Sequence, residues 1–345
     1  MTEGSVPSRF VVGIDLGTTN TAVAYTETSA KVPAIEIFAI PQIVAPGEVE
    51  AHDSIPSFHY QPASEELAHD PLRLPWSDTA PDYAVGRFAR DHGGLVPGRQ
   101  IASAKSWLCH TGVDRTAELL PWHGAVDVDR LSPVEVSGRY LAHIRSAWDA
   151  RFPASPLADQ QVVLTLPASF DEIARELTVQ AAARAGLARV VLIEEPQAAF
   201  YAWLYLNCHD WQAKIAPGQK ILVCDIGGGT ADFTLIRVRK GDADQLQLHR
   251  VAVGDHLILG GDNLDLALAH HVEQQVTAGA KIEARQWDRL VTSCRQAKET
   301  LLGDDAPEQL TINLSASGAK LIGGGRQVAL SRQEVERVLL DGFFP

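Results

Sequence analysis

Positive charge is in short supply in this chain. Thirty Lys and Arg stand against 43 Asp and Glu, a formal net charge of −13 over 345 residues. The acidic excess is spread along the sequence, and a field of that sign repels phosphate backbones, which argues against general nucleic-acid or anionic-membrane binding. A small ligand is not excluded, because a site can be locally positive inside an acidic protein. Cysteine is scarce as well: Cys109, Cys208, Cys224 and Cys294 show no CxxC spacing. No metal or disulfide framework is expected, and a reducing compartment fits. Long apolar runs are missing, since Val190–Ile193 and Ile221–Cys224 are strand-length and far too short for a bilayer. The opening MTEGSVPSRF has neither the cationic nor the apolar stretch of a signal peptide. The expectation is a soluble, cytoplasmic protein of about two domains, with no nucleic-acid or membrane partner.

What is present begins with Phe10–Leu16 (FVVGIDL), an apolar run that ends in a turn, Gly17-Thr18-Thr19-Asn20, and continues as Thr21–Tyr25. The pattern reads as a buried strand, a tight turn and a returning strand. Residues 41–100 are rich in Pro, Gly and Asp without a long period, and read as a loop-heavy insertion. Pro133–Trp148 places Val136, Tyr140, Ile144 and Trp148 on one helical face. Gln161–Leu166 is a strand stopped by Pro167, Asp171–Ala185 a helix with Gly186 at its end, Arg189–Ile193 a strand and Pro196–Leu206 a helix. Pro217-Gly218 marks a break between halves. Lys220–Asp225, a turn at Gly227–Thr230, and Ala231–Val238 then repeat the opening unit. Two helices, Asp262–Ala278 and Ala284–Leu302, and a strand, Gln309–Leu314, follow. A turn at Gly323–Gly325 and a last helix from Ser331 complete the reading.

The repeated turn has a chemical logic. Gly17 opens a backbone conformation closed to other residues and lets main-chain N–H groups approach an anion. Thr18 and Thr19 add hydroxyl donors, and Asp15 at the strand end can hold Mg²⁺ through its waters. Gly227, Gly228, Gly229 and Thr230 offer a second phosphate cradle with Asp225 as its carboxylate. The plainer alternative is a pair of glycine-rich hairpins with solvated aspartates. Glu195, at a strand end before a helix, is either a carboxylate facing a crevice or an acid stabilised by the helix dipole. Asp232 and Lys105 are site residues only through their context.

Taken together, Ile14–Thr21 (IDLGTTNT), Leu192–Ala199 (LIEEPQAA), Cys224–Asp232 (CDIGGGTAD) and Leu259–Asp265 (LGGDNLD) resemble the ATPase domain of the heat-shock-seventy (DnaK-type) chaperones, in family order and spacing. Val163–Phe170, Ser103–Leu108 and Cys294–Leu302 resemble its strand-proline, catalytic-lysine and adenosine-contacting segments. The resemblance implies an α/β, actin-like ATPase fold: two duplicated ribonuclease-H-like lobes with inserted subdomains around a nucleotide cleft. It implies lobe I at 1–210 with an insertion near 41–115, lobe II at 211–345 with a helical insertion near 259–307, and no substrate-binding domain. By position, Gly17, Thr18, Thr19, Asn20 and Gly227–Gly229 would hold the phosphates of ATP or ADP, and Gly260, Gly261, Arg295 and Lys298 would flank the nucleoside. Asp15 and Asp225 would organise Mg²⁺ through water. Lys105, Glu195, Asp225, Thr230 and Asp232 would serve hydrolysis, and Pro167 and Arg175 would report nucleotide state.

The chain also departs from the family pattern. Arg295 stands where the family has Glu, with a guanidinium able to stack on adenine, and Leu302 stands where it has Ser. The family's adenosine loop and closing elements have no counterpart before Pro345, so the expectation is a lobe pair cut short, an Mg²⁺-dependent ATPase once those elements are supplied. Unfolded polypeptides and co-chaperones would then be reached through parts outside this chain. Two alternatives remain at this point: a non-catalytic nucleotide-sensing or interaction module of the same fold, and a sugar kinase or filament-forming relative.

Overall fold

The run Phe10–Leu16 forms strand β1, and its alternation is visible in burial: Phe10, Val12, Ile14 and Leu16 are buried while Asp15 is exposed. The computed structural model describes residues 8–31, 33–241, 246–254, 257–277, 282–314 and 326–343. The expected turn at Gly323–Gly325 lies outside them. After β1 the chain returns antiparallel as β2 (Asn20–Glu27), whose far side takes β3 (Glu36–Ile37). Strands β4 (Ile40–Ala45) and β5 (Glu48–His52) form a hairpin, and β6 (Ser54–Pro56) pairs back onto β2. Strand β7 (Phe58–Tyr60) lies between β8 (Ala84–Val85) and β9 (Gln100–Ala102), with helix α1 (Arg87–Asp91) against them.

The segment expected to be loop-heavy is therefore a mesh of very short strands. It has its own core of Ile43, Phe58, Tyr60, Leu72, Leu74 and Phe88. Strands of two to six residues cannot display a period, and β7 finds its partners far along the chain.

Helix α2 (Ala104–Leu108) is followed by α3 (Pro133–Arg151). Ser132 accepts the Glu135 N–H at the N-cap and Pro133 occupies the first turn. Its inward face is the expected one: Val136, Tyr140, Ile144 and Trp148 are all at most 2% exposed. Strand β10 (Gln161–Leu166) runs parallel to β1. Helix α4 (Glu172–Arg184) opens on Asp171, which accepts the Ala174 N–H at 2.8 Å, and closes before Gly186 at φ +81°. Strand β11 (Val190–Glu194) is parallel to β10, completing a sheet ordered β11-β10-β1-β2-β3 with β6 on β2. Helix α5 (Glu195–Leu206) starts at the end of β11.

In the second half, a short α6 (Trp211–Lys214) precedes β12 (Lys220–Ile226), β13 (Ala231–Lys240) and β14 (Leu246–Val253), one antiparallel sheet. Strand β14 was not expected from sequence; most of it is exposed, so it carries little apolar alternation. Then come α7 (Gly261–Thr277), α8 (Ala284–Leu301), the hairpin β15 (Gln309–Leu314) and β16 (Arg326–Ser331), and α9 (Arg332–Phe343). These share one core, including Leu268, Leu290, Cys294, Ile312, Leu330 and Leu339, so the packing that begins with the helical pair continues to the last helix. Burial within it pushes the Cys294 thiol up to about 12. The architecture is mixed α/β, and among the described residues no helix is long and apolar enough to cross a membrane.

The first half hangs on Trp148. Its ring lies edge-on to Phe10 and Tyr25 at 5.4 and 5.3 Å and tilted against Phe38 and Phe152, and its Nε1–H donates to the Ser155 carbonyl at 3.0 Å. Trp148→Ala is expected to cost roughly 3–5 kcal/mol of stability. Urea unfolding of the variant beside the parent protein measures it.

Candidate functional site

The two glycine turns are built alike. In the first hairpin Leu16 pairs with Thr21, and in the second Ile226 pairs with Ala231, so residues 17–20 and 227–230 are equivalent four-residue connections. The first is anchored by Ser57, whose N–H donates to the Thr19 carbonyl at 2.8 Å and whose hydroxyl donates to the Gly17 carbonyl at 2.7 Å. The Tyr140 hydroxyl holds the Ser57 carbonyl at 2.9 Å, tying this turn to α3. The second turn rests on the start of α7: Gly261 and Asp262 N–H groups donate to the Gly227 and Gly228 carbonyls at 3.0 and 2.7 Å.

The hairpins meet. A Cβ on Gly228 would collide with the Thr19 hydroxyl, and one on Gly229 with the Ser106 hydroxyl, with Thr18 next in line. A Cβ on Gly260 would come within 2.6 Å of the Gly227 and Gly228 carbonyl oxygens. Only glycine permits this approach.

Carboxylates gather beside the junction. Asp15 accepts from Thr165 Oγ1 at 2.6 Å, because β1 and β10 run side by side and bring the two residues level. Asp225 stands directly opposite Asp232 across β12 and β13. Lys105 on α2 is 6% exposed and pairs with Glu195, the first residue of α5. Burial raises the pKa of Glu195; Lys105 opposes that rise, and Asp15 and Asp225 add to it. Burial likewise raises Asp225, with Asp232 and Asp15 adding to it. Lys105 is the cation of this cluster. Thr230 is buried, and so is Asp232, whose Oδ1 has no partner among the described residues, like Ser106 Oγ nearby.

The start of α7 carries a second network. Arg295 of α8 donates from one terminal nitrogen to Asp262 Oδ1 and from Nε to Asp265 Oδ2, both at 2.7 Å, with its guanidinium 5.6 Å from the Phe58 ring centre. Lys298 lies 2.6 Å from Asp265 Oδ1 and donates to the Gly261 carbonyl at 2.9 Å. Burial opposes the charge on Arg295, but Asp262 and Asp265 outweigh it and its pKa rises. The other oxygen of Asp262 accepts the Ser103 hydroxyl at 2.5 Å, reaching into the first half of the chain. Ser103 itself sits at φ 54°, ψ 31° and leaves α2 without a side-chain cap. A left-handed backbone costs a non-glycine residue about 1–2 kcal/mol.

The family model described as Hsp70 protein matches residues 104–343. The chain belongs to the Hsp70 family. It is 33% identical over 322 residues to the chaperone protein HscA homolog of Burkholderia orbicola, covering 91% of this chain and 45% of that protein. It is 30% identical over 323 residues to the chaperone protein HscA of Enterobacter sp., covering 89% and 44%. The HscA homolog of Pseudoalteromonas atlantica matches at 27% over 346 residues. The chain thus spans a little under half the length of the curated relatives it matches.

Within this Hsp70 member, the structure brings Asp15, Gly17, Thr18, Thr19, Lys105, Glu195, Asp225, Gly227–Thr230 and Asp232 to one junction, with Gly260 and Gly261 behind the second turn. Asn20 is exposed, and its carbonyl packs against Gly17. Arg295 and Lys298 are engaged within the protein by Asp262 and Asp265. Arg175 donates to Glu194, which also binds Arg250 from the second sheet. Sequence reasoning gave no site role to Ser57, Ser103, Ser106, Thr165, Asp262 or Asp265, although all but Ser57 lie in segments that carry the resemblance. Thr165 was findable: strand alternation turns it away from buried Leu164 and Leu166. Ser57 has no local signal, and Ser103 and Ser106 are marked only by their place beside Lys105.

Lys105→Met would leave Glu195 buried among like charges, an expected loss of about 3–5 kcal/mol near neutral pH. The raised folded pKa of Glu195 means that its contribution is fully present below the unfolded value and disappears as pH rises through the folded one. The deficit should therefore shrink as pH falls from neutrality toward the unfolded carboxylate range and Glu195 takes up a proton. Unfolding of both proteins across that range tests the pairing, and a pH-independent deficit would detach the lysine from Glu195.

Proposed function

We propose that this chain is the nucleotide-binding part of an Hsp70-type chaperone, an actin-like pair of lobes, 1–210 and 211–345, that closes on ATP or ADP with Mg²⁺. The observation that carries the reading is the meeting of two equivalent four-residue hairpins, each with a carboxylate at its strand end. Bare glycine backbone and the Thr18 and Thr19 hydroxyls suit phosphate oxygens. The donor set is all oxygen, as Mg²⁺ prefers. Asp15 and Asp225 would hold the cation through its waters, in keeping with the hydration shell that Mg²⁺ gives up reluctantly. When bound, the ion spreads and neutralises phosphate charge.

The chain's own residues then divide the work. Lys105, held by Glu195, would stabilise the terminal phosphate and orient the attacking water, and Glu195, Thr230 and Asp232 would complete that environment. Unfolded polypeptides and co-chaperones as partners, and a cytoplasmic setting, are part of the same proposal.

One observation favours a second reading, a nucleotide-sensing module without turnover: Arg295 and Lys298 are already paired with Asp262 and Asp265, which leaves fewer groups for a nucleoside. Calorimetric titration with Mg-ATP and Mg-ADP should give saturable binding, weakened about tenfold or more by Asp225→Asn, as loss of a charge-assisted contact implies. Binding without turnover selects the second reading, and no binding at all rejects both.

A further inference from the structure

The serine that begins the lysine helix is unusual in three respects at once. It occupies the N-cap position of α2, where a serine hydroxyl ordinarily accepts an N–H of its own helix, yet it makes no such bond. Its backbone is left-handed, a conformation that serine holds only when its surroundings over-determine it. Its hydroxyl is given instead to Asp262 at the start of α7, 159 residues away. Asp262 is in turn fixed by Arg295, and Arg295 by Asp265, which Lys298 also holds. Two residues after Ser103 stands Lys105.

We infer that Ser103, Asp262 and Arg295 form a positioning relay across the two halves, through which the α7–α8 pair sets the placement of Lys105 against Glu195. Besides the Ser106 N–H that its carbonyl accepts, the tie that holds this left-handed residue at the root of a one-turn helix is the bond its hydroxyl donates to Asp262. Burial raises the Asp262 pKa and outweighs Arg295, which favours the charged form and aims the carboxylate through its hydrogen bond. Side-chain hydrogen bonds to a carboxylate are directional, so a shift of α7 relative to the first sheet pulls on Ser103 and reorients the turn that carries the lysine. The roles of Ser103, Asp262 and Arg295 are thus those of positioning residues. Their importance for catalysis rests on the reading of Lys105 above, whereas the mechanical link does not.

Two measurements separate these levels. In the full chain without nucleotide, amide hydrogen exchange over residues 104–109 should quicken about five- to tenfold in Ser103→Ala and in Asp262→Ala, and no further in the double variant, as expected when both remove one hydrogen bond. Arg295→Met should quicken it and Arg295→Lys restore part of the protection. Additive effects of Ser103→Ala and Asp262→Ala, or exchange unchanged from the parent, overturn the relay whether or not nucleotide binds. With Mg-ATP, single-turnover cleavage should fall about tenfold in Ser103→Ala while the nucleotide Kd stays within about twofold, since the phosphate cradle is untouched. Parallel loss of both would mean that the site had collapsed, and would overturn the positioning role. Absence of Mg-ATP binding by the parent removes the proposed function and leaves the exchange result to decide the link alone.

Discussion

The two turns meet with bare glycine backbone on one side and threonine side chains on the other, a fit that any side chain on Gly228 or Gly229 would block, and the rest of the structure serves to hold it. Gly228 and Gly229 lie against Thr18, Thr19 and Ser106, while Gly260 lies against the carbonyls of the second turn. Each turn must be held rigidly for so close a fit to persist. The first half does this with Ser57 and Tyr140, which lock the hairpin to α3 and through it to the aromatic core around Trp148. The second half uses the first amides of α7. The supports differ although the turns match, as expected where geometry at the junction is the shared constraint and packing behind it is free to vary.

Charge follows from that geometry. Strand ends that converge on one point bring their carboxylates together, so that, on top of burial, Asp15 and Asp225 oppose the ionised form of Glu195, and Asp232 and Asp15 that of Asp225. Lys105, nearly buried, offsets part of this. On the proposed function, this surplus of carboxylates would suit a hydrated divalent cation accompanying a polyanion. The Arg295 and Lys298 network a short way along is balanced within itself: two cations, two carboxylates.

Much of this was legible in the primary structure, and what was not had a physical cause. Strands β1, β10 and β15 run where alternation and flanking turn residues put them, and α4 lies between its Asp171 cap and Gly186. The matching hairpins were visible because glycine, threonine and aspartate are each demanded locally. Residues 41–100 were opaque because strands of two to six residues owe their existence to distant partners: β7 is completed by segments beginning at Ala84 and Gln100. The chemistry shows the same split. Asp15 and Lys105 could be picked out from motifs, yet the partner of Arg295 lies 33 residues back along the chain at Asp262, and nothing in either neighbourhood announces the pairing. Serines such as Ser57 and Ser103 carry function only through where the fold delivers them.

The direct contact between the turns also has a thermodynamic side. Anything that occupies the space between them must first separate them, so its measured affinity is its intrinsic affinity scaled by the fraction of molecules already parted. Tightening the interface, by better packing of Thr18 against Gly229 for instance, would then weaken binding without altering a single ligand contact. Loosening it would do the reverse. Affinity for such an occupant would be set as much by how reluctantly Thr18 and Thr19 part from Gly228 and Gly229 as by what the turns hold once apart.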